Sequence, residues 1–184
     1  MNLDGIRSAL AKLGEKLRLD RDVEILLVGG AAGVLTQQLP PAWTTSDVDT
    51  IDCRPAHERD TVLDAAAEVG RELSLSPGWL NDWSGLYGWT LPDGWEARRV
   101  SVGVHGRLHV YAVSRIDLIS MKFVAHRERD LEHLREMKVS QDEKLWVNRY
   151  LDDVARRYPE ARYPEQAGKI AMAKAYLKDW EALP

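Results

Sequence analysis

Only one cysteine, Cys53, stands in the 184 residues, so no disulfide can close within the chain, and a reducing cytosol suits it. No apolar run approaches the roughly 20 residues that a membrane-crossing helix needs. Excess positive charge is lacking too: 25 Lys and Arg against 29 Asp and Glu leave a formal charge of −4. That argues against coating nucleic acid by bulk electrostatics and leaves room for a local basic groove. Repeats and low-complexity tracts are absent. The opening stretch MNLDGIRSALAKLGEKLRL mixes apolar and charged residues at helical spacing, unlike a secretory leader. His57, His105, His109, His126 and His133 stand in no zinc spacing with the cysteine. What is present is an ordinary globular composition, 45% apolar and 29% charged. The length suits one domain with an appendage, or two small ones, and the cytoplasm is the expected location, with no membrane partner.

Periodicity and punctuation lay out the elements. Ile6, Leu10, Leu13 and Leu17 make the stripe of an amphipathic helix over 4–18. The near-continuous apolar run 23–28 reads as a central strand. A short helix over 31–38 is broken by Pro40-Pro41. Residues 47–53 are the next strand, and His57 to Leu75 is a helix stopped by Pro77-Gly78. Arg98 to Gly103 and Leu108 to Val113 read as a hairpin. Ser114 caps a helix or a pair of helices running to about 138. Ser140 caps another to about Arg157, and Pro164 opens a last one to about Trp180. The fold class is therefore α+β: a small mixed sheet with helices packed on it over 1–138, and a helical C-terminal extension over 139–184.

The chemistry concentrates between Gly29 and Asp52. Gly29-Gly30 sit where a buried strand turns into a helix, so the backbone can bend sharply and approach a ligand closely. Amides at such a helix start form a natural anion site. Downstream, Asp47 and Asp49 are two apart, which on a strand directs both carboxylates to one face. Adjacent like charges call for something positive between them. A hard divalent cation such as Mg²⁺ (or Mn²⁺), with substrate phosphates as further ligands, answers that need. For each feature alone the ordinary readings are turn glycines and capping or turn aspartates.

The pattern VGGAAGVL followed by TTSDVD resembles the nucleotidyltransferase superfamily of polymerase-beta-like fold, most closely small bacterial abortive-infection-type toxin nucleotidyltransferases and related uncharacterised proteins. A second match lies in Lys122, Ala125, Arg127, Arg129 and Asp130, and the resemblance covers roughly Val23 to Leu134. His133 departs from it, since that group often carries a second aspartate there. The resemblance implies the minimal nucleotidyltransferase fold and a nucleoside triphosphate substrate. It implies that Lys122 contacts nucleotide phosphates and that Asp130 lies in the active-site region. Arg129 is assigned beside Lys122 to nucleotide binding. By the same resemblance an RNA end, such as that of a tRNA, is the first acceptor to consider, ahead of a protein side chain or small molecule, with a separate antitoxin as partner.

Read from spacing alone, Lys122, His126, Arg129 and Asp130 share one helical surface, which is more simply a solvated charged face. Two-metal phosphoryl transfer wants a third acidic ligand, for which Glu96 is the candidate and Asp93 the alternative. Arg98 and Arg99 are candidates for substrate phosphate, against a plainly solvated role. Trp79, Trp83, Trp89 and Trp95 offer a stacking platform or, more simply, core and interface filling. Cys53 reads as a structural thiol. Two rivals remain: an inactive nucleotidyltransferase fold serving as a nucleotide- or protein-binding regulator, and an interaction module built on the tryptophan-rich loop.

Overall fold

The structure, a computed structural model, describes residues 1–181. The chain forms two compact units, Met1–Trp89 with Gly94–Ser114, and Thr90–Asp93 with residues 115–181. The sequence reading drew the line at 138; here the helices after Ser114 pack with the C-terminal ones. Among the described residues no helix is long and apolar enough to cross a membrane.

The first unit holds α1 (Leu3–Lys16), β1 (Val23–Val28), α2 (Gly29–Leu35), β2 (Val48–Arg54), α3 (Arg59–Glu72), β3 (Leu80–Asn81), a short α4 (Trp95–Arg98), β4 (Val100–His105) and β5 (Leu108–Ala112). The strands form one mixed sheet in the order β3-β2-β1-β5-β4. Central β1 runs antiparallel to β2 and parallel to β5. Its burial is nearly continuous because both of its edges are paired and its helix-covered face is apolar. Paired residues share a face, so Val23, Ile25, Leu27, Leu108 and Val110 line one side, all 0–1% exposed. Helix α1 lies there, so close that a Cβ on Gly14 would fall 2.5 Å from the His105 carbonyl oxygen. Ile6, Leu10 and Leu13, the expected stripe, are buried.

The other face is polar. It carries Glu24, Leu26 and Val28 of β1 with their partners Arg54, Asp52 and Asp49 on β2, and His109 and Tyr111 on β5. Strand β2 has an extra residue, Ile51: Leu27 pairs with Thr50 while Leu26 pairs with Asp52. That bulge places Asp49 and Asp52, three apart in sequence, on one face. Strand β3, two residues joined in parallel to β2, was not expected from the sequence; its pairing is wholly long-range, and the local stretch carries no strand pattern.

The second unit is helical: α5 (Arg115–Ala125), α6 (Glu128–Met137), α7 (Gln141–Arg157) and α8 (Pro164–Asp179). Ser140 makes a reciprocal capping box with Glu143, and Pro164 opens α8, as their residue types dictate. Ile119, Phe123, Leu134, Val147, Leu151 and Ile170 form the core. Arg115 ties three elements together, pairing with Glu143 and donating to the Met137 carbonyl at 2.6 Å.

Candidate functional site

The turn from β1 into α2 begins at Gly29, whose φ of +70° lies in the left-handed region that disfavours side chains. The bare Cα also makes room: a Cβ there would stand 2.8 Å from Asp49 Oδ2. Glycine turn and second aspartate are therefore neighbours in space, because Val28, which precedes Gly29, is the cross-strand partner of Asp49. Asp49 is half-buried on the polar face. Asp47 stands just ahead of β2, and its Oδ1 accepts from Ser46 Oγ at 3.1 Å and from Thr45 Oγ1 at 3.3 Å. Asp47 is thus held by its neighbouring hydroxyls, and Asp49 lies against bare backbone. An all-oxygen pair of this kind suits a hard divalent ion, whose other positions are filled by water and phosphate oxygens.

Glu96 is not brought to them. It lies on α4, not on a strand, is exposed, and stands 3.5 Å from Arg54 Nη2. Asp93, the alternative, is exposed and ion-paired with Arg157 at 3.0 Å. Strands β4 and β5 carry no acidic residue, and among the described residues no group of three or more His, Cys, Asp or Glu side chains is placed to hold a metal. No third carboxylate is thus grouped with Asp47 and Asp49 among the described residues.

The polar face also carries an arginine lattice. Arg99 makes a fork with Glu24 (2.5 and 3.1 Å), and its guanidinium carbon sits 3.9 Å from the centre of the Tyr111 ring. Arg54 pairs with Asp52 at 2.6 Å and lies 4.9 Å over Trp95. The Arg99 fork, opposed by partial burial, holds Glu24 below the usual carboxylate range. Sequence reasoning named Arg99 but missed Glu24 and Tyr111. Their signal was present only as polar residues recurring at alternate positions of otherwise buried strands.

In the second unit, Lys122, Asp130 and His133 do not form a solvated face. They are 3%, 4% and 3% exposed. Lys122 Nζ lies 3.0 Å from Asp130 Oδ1 and 2.7 Å from His133 Nδ1, and Arg127 Nε donates to Asp130 Oδ2 at 2.7 Å. The single helical surface expected from spacing is interrupted: α5 ends before His126, whose φ is +51°, and α6 starts at Glu128. Helix α6 then folds back on α5 and closes over the ammonium. Arg129 is left exposed. Burial lowers the Lys122 pKa against the pull of Asp130. Burial would raise Asp130, but Lys122 and Arg127 reverse this and hold it below its ordinary value. His133 is pushed down to about 4, by burial first and by the Lys122 charge second. Its ring is neutral at pH 7, and Nδ1 is the acceptor because an ammonium only donates. Where the resembling group carries a charge, this chain offers a lone pair.

The remaining candidates separate cleanly. Trp79 is core, donating Nε1 to the Ala66 carbonyl at 2.7 Å. Trp95 underlies Arg54, while Trp83 is 69% exposed. Cys53 is half-buried and its thiol is pushed up to about 11 by burial, as a structural thiol would be.

A family model described as nucleotidyltransferase of unknown function (DUF6036) matches residues 6–165. No curated protein and no solved structure matches the chain. The matched stretch contains Gly29, Asp47 and Asp49 as well as Lys122 and Asp130, so both motifs lie inside it. With the mixed sheet, the glycine turn set against Asp49 and a match over most of its length, the chain belongs to this nucleotidyltransferase family.

Proposed function

We propose that the protein transfers a nucleoside monophosphate from a nucleoside triphosphate to an acceptor hydroxyl. The observation that carries this is the contact between Gly29 and Asp49, which joins a bare backbone turn to a carboxylate pair. In this reading Asp47 and Asp49 hold Mg²⁺ or Mn²⁺, and Gly29 and Gly30 keep the backbone open to the triphosphate. The bound metal supplies charge neutralisation at the phosphates. The acceptor oxygen bonds to the α-phosphorus, the bond to the bridging oxygen breaks, pyrophosphate leaves, and the hydroxyl proton is released. Such chemistry needs positioning and electrostatic stabilisation more than covalent help from the protein.

An RNA end, such as that of a tRNA, is the acceptor in this reading, with an antitoxin protein restraining the activity in the cytoplasm. The resemblance also assigns Lys122, Asp130 and Arg129 to the nucleotide; Lys122 and Asp130 are 3% and 4% exposed and engaged with each other, so this reading rests on the first unit alone. A second reading, an inactive fold that binds nucleotide or protein as a regulator, draws on the lack of a third carboxylate beside Asp47 and Asp49 and on the engagement of Lys122 by Asp130 and His133.

Transfer of label from each α-³²P nucleoside triphosphate to total RNA and to total protein, with Mg²⁺ or Mn²⁺, tests this. We expect label in the RNA fraction from the wild type, reduced at least about a hundredfold by Asp47→Ala/Asp49→Ala, as for loss of a metal's electrostatic stabilisation. Label in the protein fraction instead would replace the acceptor and retain the enzyme. No label in either, from folded protein that still binds nucleotide, would favour the regulator.

A further inference from the structure

We propose, resting on the nucleotide reading above, that Arg99 is a phosphate-binding residue held in reserve by Glu24, and that its guanidinium leaves Glu24 for the triphosphate when nucleotide binds. The argument begins with rows across the sheet. Thr50, Leu27, Ala112 and Val100 lie in one row, each paired with the next. Asp49, Val28 and the Gly29 turn follow at the same end, and Arg99 immediately precedes Val100 there. Its backbone therefore stands at the end of the sheet where the glycine turn stands. One strand, β5, lies between β1 and β4, so two inter-strand spacings, about 10 Å, separate them.

The guanidinium points elsewhere. It runs back over Tyr111, which is in the Leu26 row, and forks onto Glu24, four residues from Val28 and about 13 Å along the strand. An arginine rooted near the phosphate turn thus has its charge turned away from it, over Tyr111 and onto Glu24.

Three features make this pairing exchangeable. The side chains of Arg99 and Glu24 retain 23% and 31% exposure, and ion pairs with such solvent access are weak. Tyr111 supplies a flat face that steadies the guanidinium plane without fixing its direction. Glu24 is not stranded when Arg99 departs, because its cross-strand partner is Arg54, whose charge also lowers its pKa. A triphosphate offers the same fork a bidentate, more highly charged acceptor. A purely structural Glu24–Arg99 clamp, tying β1 to the start of β4, makes the opposite forecast for Glu24: its loss would loosen the face and weaken any ligand there.

Titration of ATP, GTP, CTP and UTP with Mg²⁺ or Mn²⁺ into the full chain, by calorimetry, separates these. We expect Arg99→Ala to weaken binding about tenfold or more, the scale of a lost charge-assisted bond. Arg99→Lys should fall between, since lysine keeps the charge and loses the fork. Glu24→Gln should tighten binding severalfold by removing the competitor. Wild-type binding that Asp47→Ala/Asp49→Ala abolishes while Arg99→Ala leaves it unchanged would overturn this inference alone. Glu24→Gln weakening binding as much as Arg99→Ala would likewise overturn it in favour of the clamp. No nucleotide binding by folded wild type would overturn the nucleotide reading and this inference together. Thermal melts of each variant confirm that binding changes are not unfolding.

Discussion

The two motifs picked out in the sequence have opposite electrostatic characters. In the first unit, Asp47 and Asp49 are half-buried carboxylates steadied by hydroxyls and bare backbone, on or beside the polar face of a sheet. In the second unit, Lys122 and Asp130 are almost fully buried and neutralise each other, with His133 and Arg127 completing the network. Like charges near solvent leave a deficit that an external cation can fill. Opposite charges in the interior satisfy themselves, and their disruption falls on stability before it falls on any ligand. The motif that looks reactive in sequence because it is charged is therefore not always the one with chemistry to spare.

The contrast can be broken most directly by stability measurements. Lys122→Met leaves Asp130 buried with Arg127 as its remaining cation, and chemical denaturation should show a loss of about 3–5 kcal/mol, the usual penalty for breaking a buried pair. Asp47→Ala should change stability by no more than about 0.5 kcal/mol, as for a substitution outside the core. Equal losses from both would erase the distinction drawn between the units.

A smaller effect comes from His133. Its folded pKa, about 4, lies below its unfolded value near 6.5. The unfolded chain therefore takes up the proton first as pH falls. The stability tied to neutral His133 is complete above pH 6.5 and is lost progressively down to about 4, reaching about 3 kcal/mol by the scale of one pKa unit. Lys122, Arg127, Arg129 and Asp130 act on the ring, the first three opposing its protonation and Asp130 favouring it. Denaturation curves at stepped pH should show this slope, and His133→Gln should flatten it. An unchanged slope in the variant would move the acid sensitivity to other groups.

The glycine turn carries less stability than either the buried Lys122 pair or neutral His133. Gly29→Ala must adopt φ of +70° with a methyl 2.8 Å from the Asp49 carboxylate. A loss of about 1–2 kcal/mol is expected, the scale of strain in that backbone region. Mn²⁺ titration should show a proportionally larger loss of metal affinity, because the methyl displaces a proposed ligand. An unaltered Mn²⁺ isotherm would separate the turn from the carboxylates.

Much of the architecture was legible in the residues because its causes are local. Strand β1 announced itself by a near-continuous apolar run, α7 by Ser140 at its N-cap, α8 by Pro164 at its first turn. The carboxylate pair and the glycine turn were legible for the same reason: each is a short pattern whose geometry follows from strand alternation and from a missing Cβ. Their contact was not, since it depends on Val28 pairing with Asp49 across two strands joined by a loop. Glu96 was named only for its charge near the hairpin; the short helix α4 that carries it, and its pairing with Arg54, follow from no local pattern. The burial of Lys122 was not legible from spacing, which by itself suggested a solvated face: only the left-handed break at His126 lets α6 return over it, and helical spacing assumes no break.

The sequence by itself determined the fold class, most of the element boundaries and the identity of the motif residues, because periodicity, caps and turn chemistry act within a few positions of one another. Tertiary structure alone decided which charges meet. The bulge at Ile51 sets Asp52 on the face of Asp49, the row order of the sheet puts Arg99 at the glycine end with its charge turned back onto Glu24, and the fold of α6 on α5 buries Lys122. Each of these rests on contacts between residues far apart in the chain, whose energies depend on burial and distance that no local pattern contains.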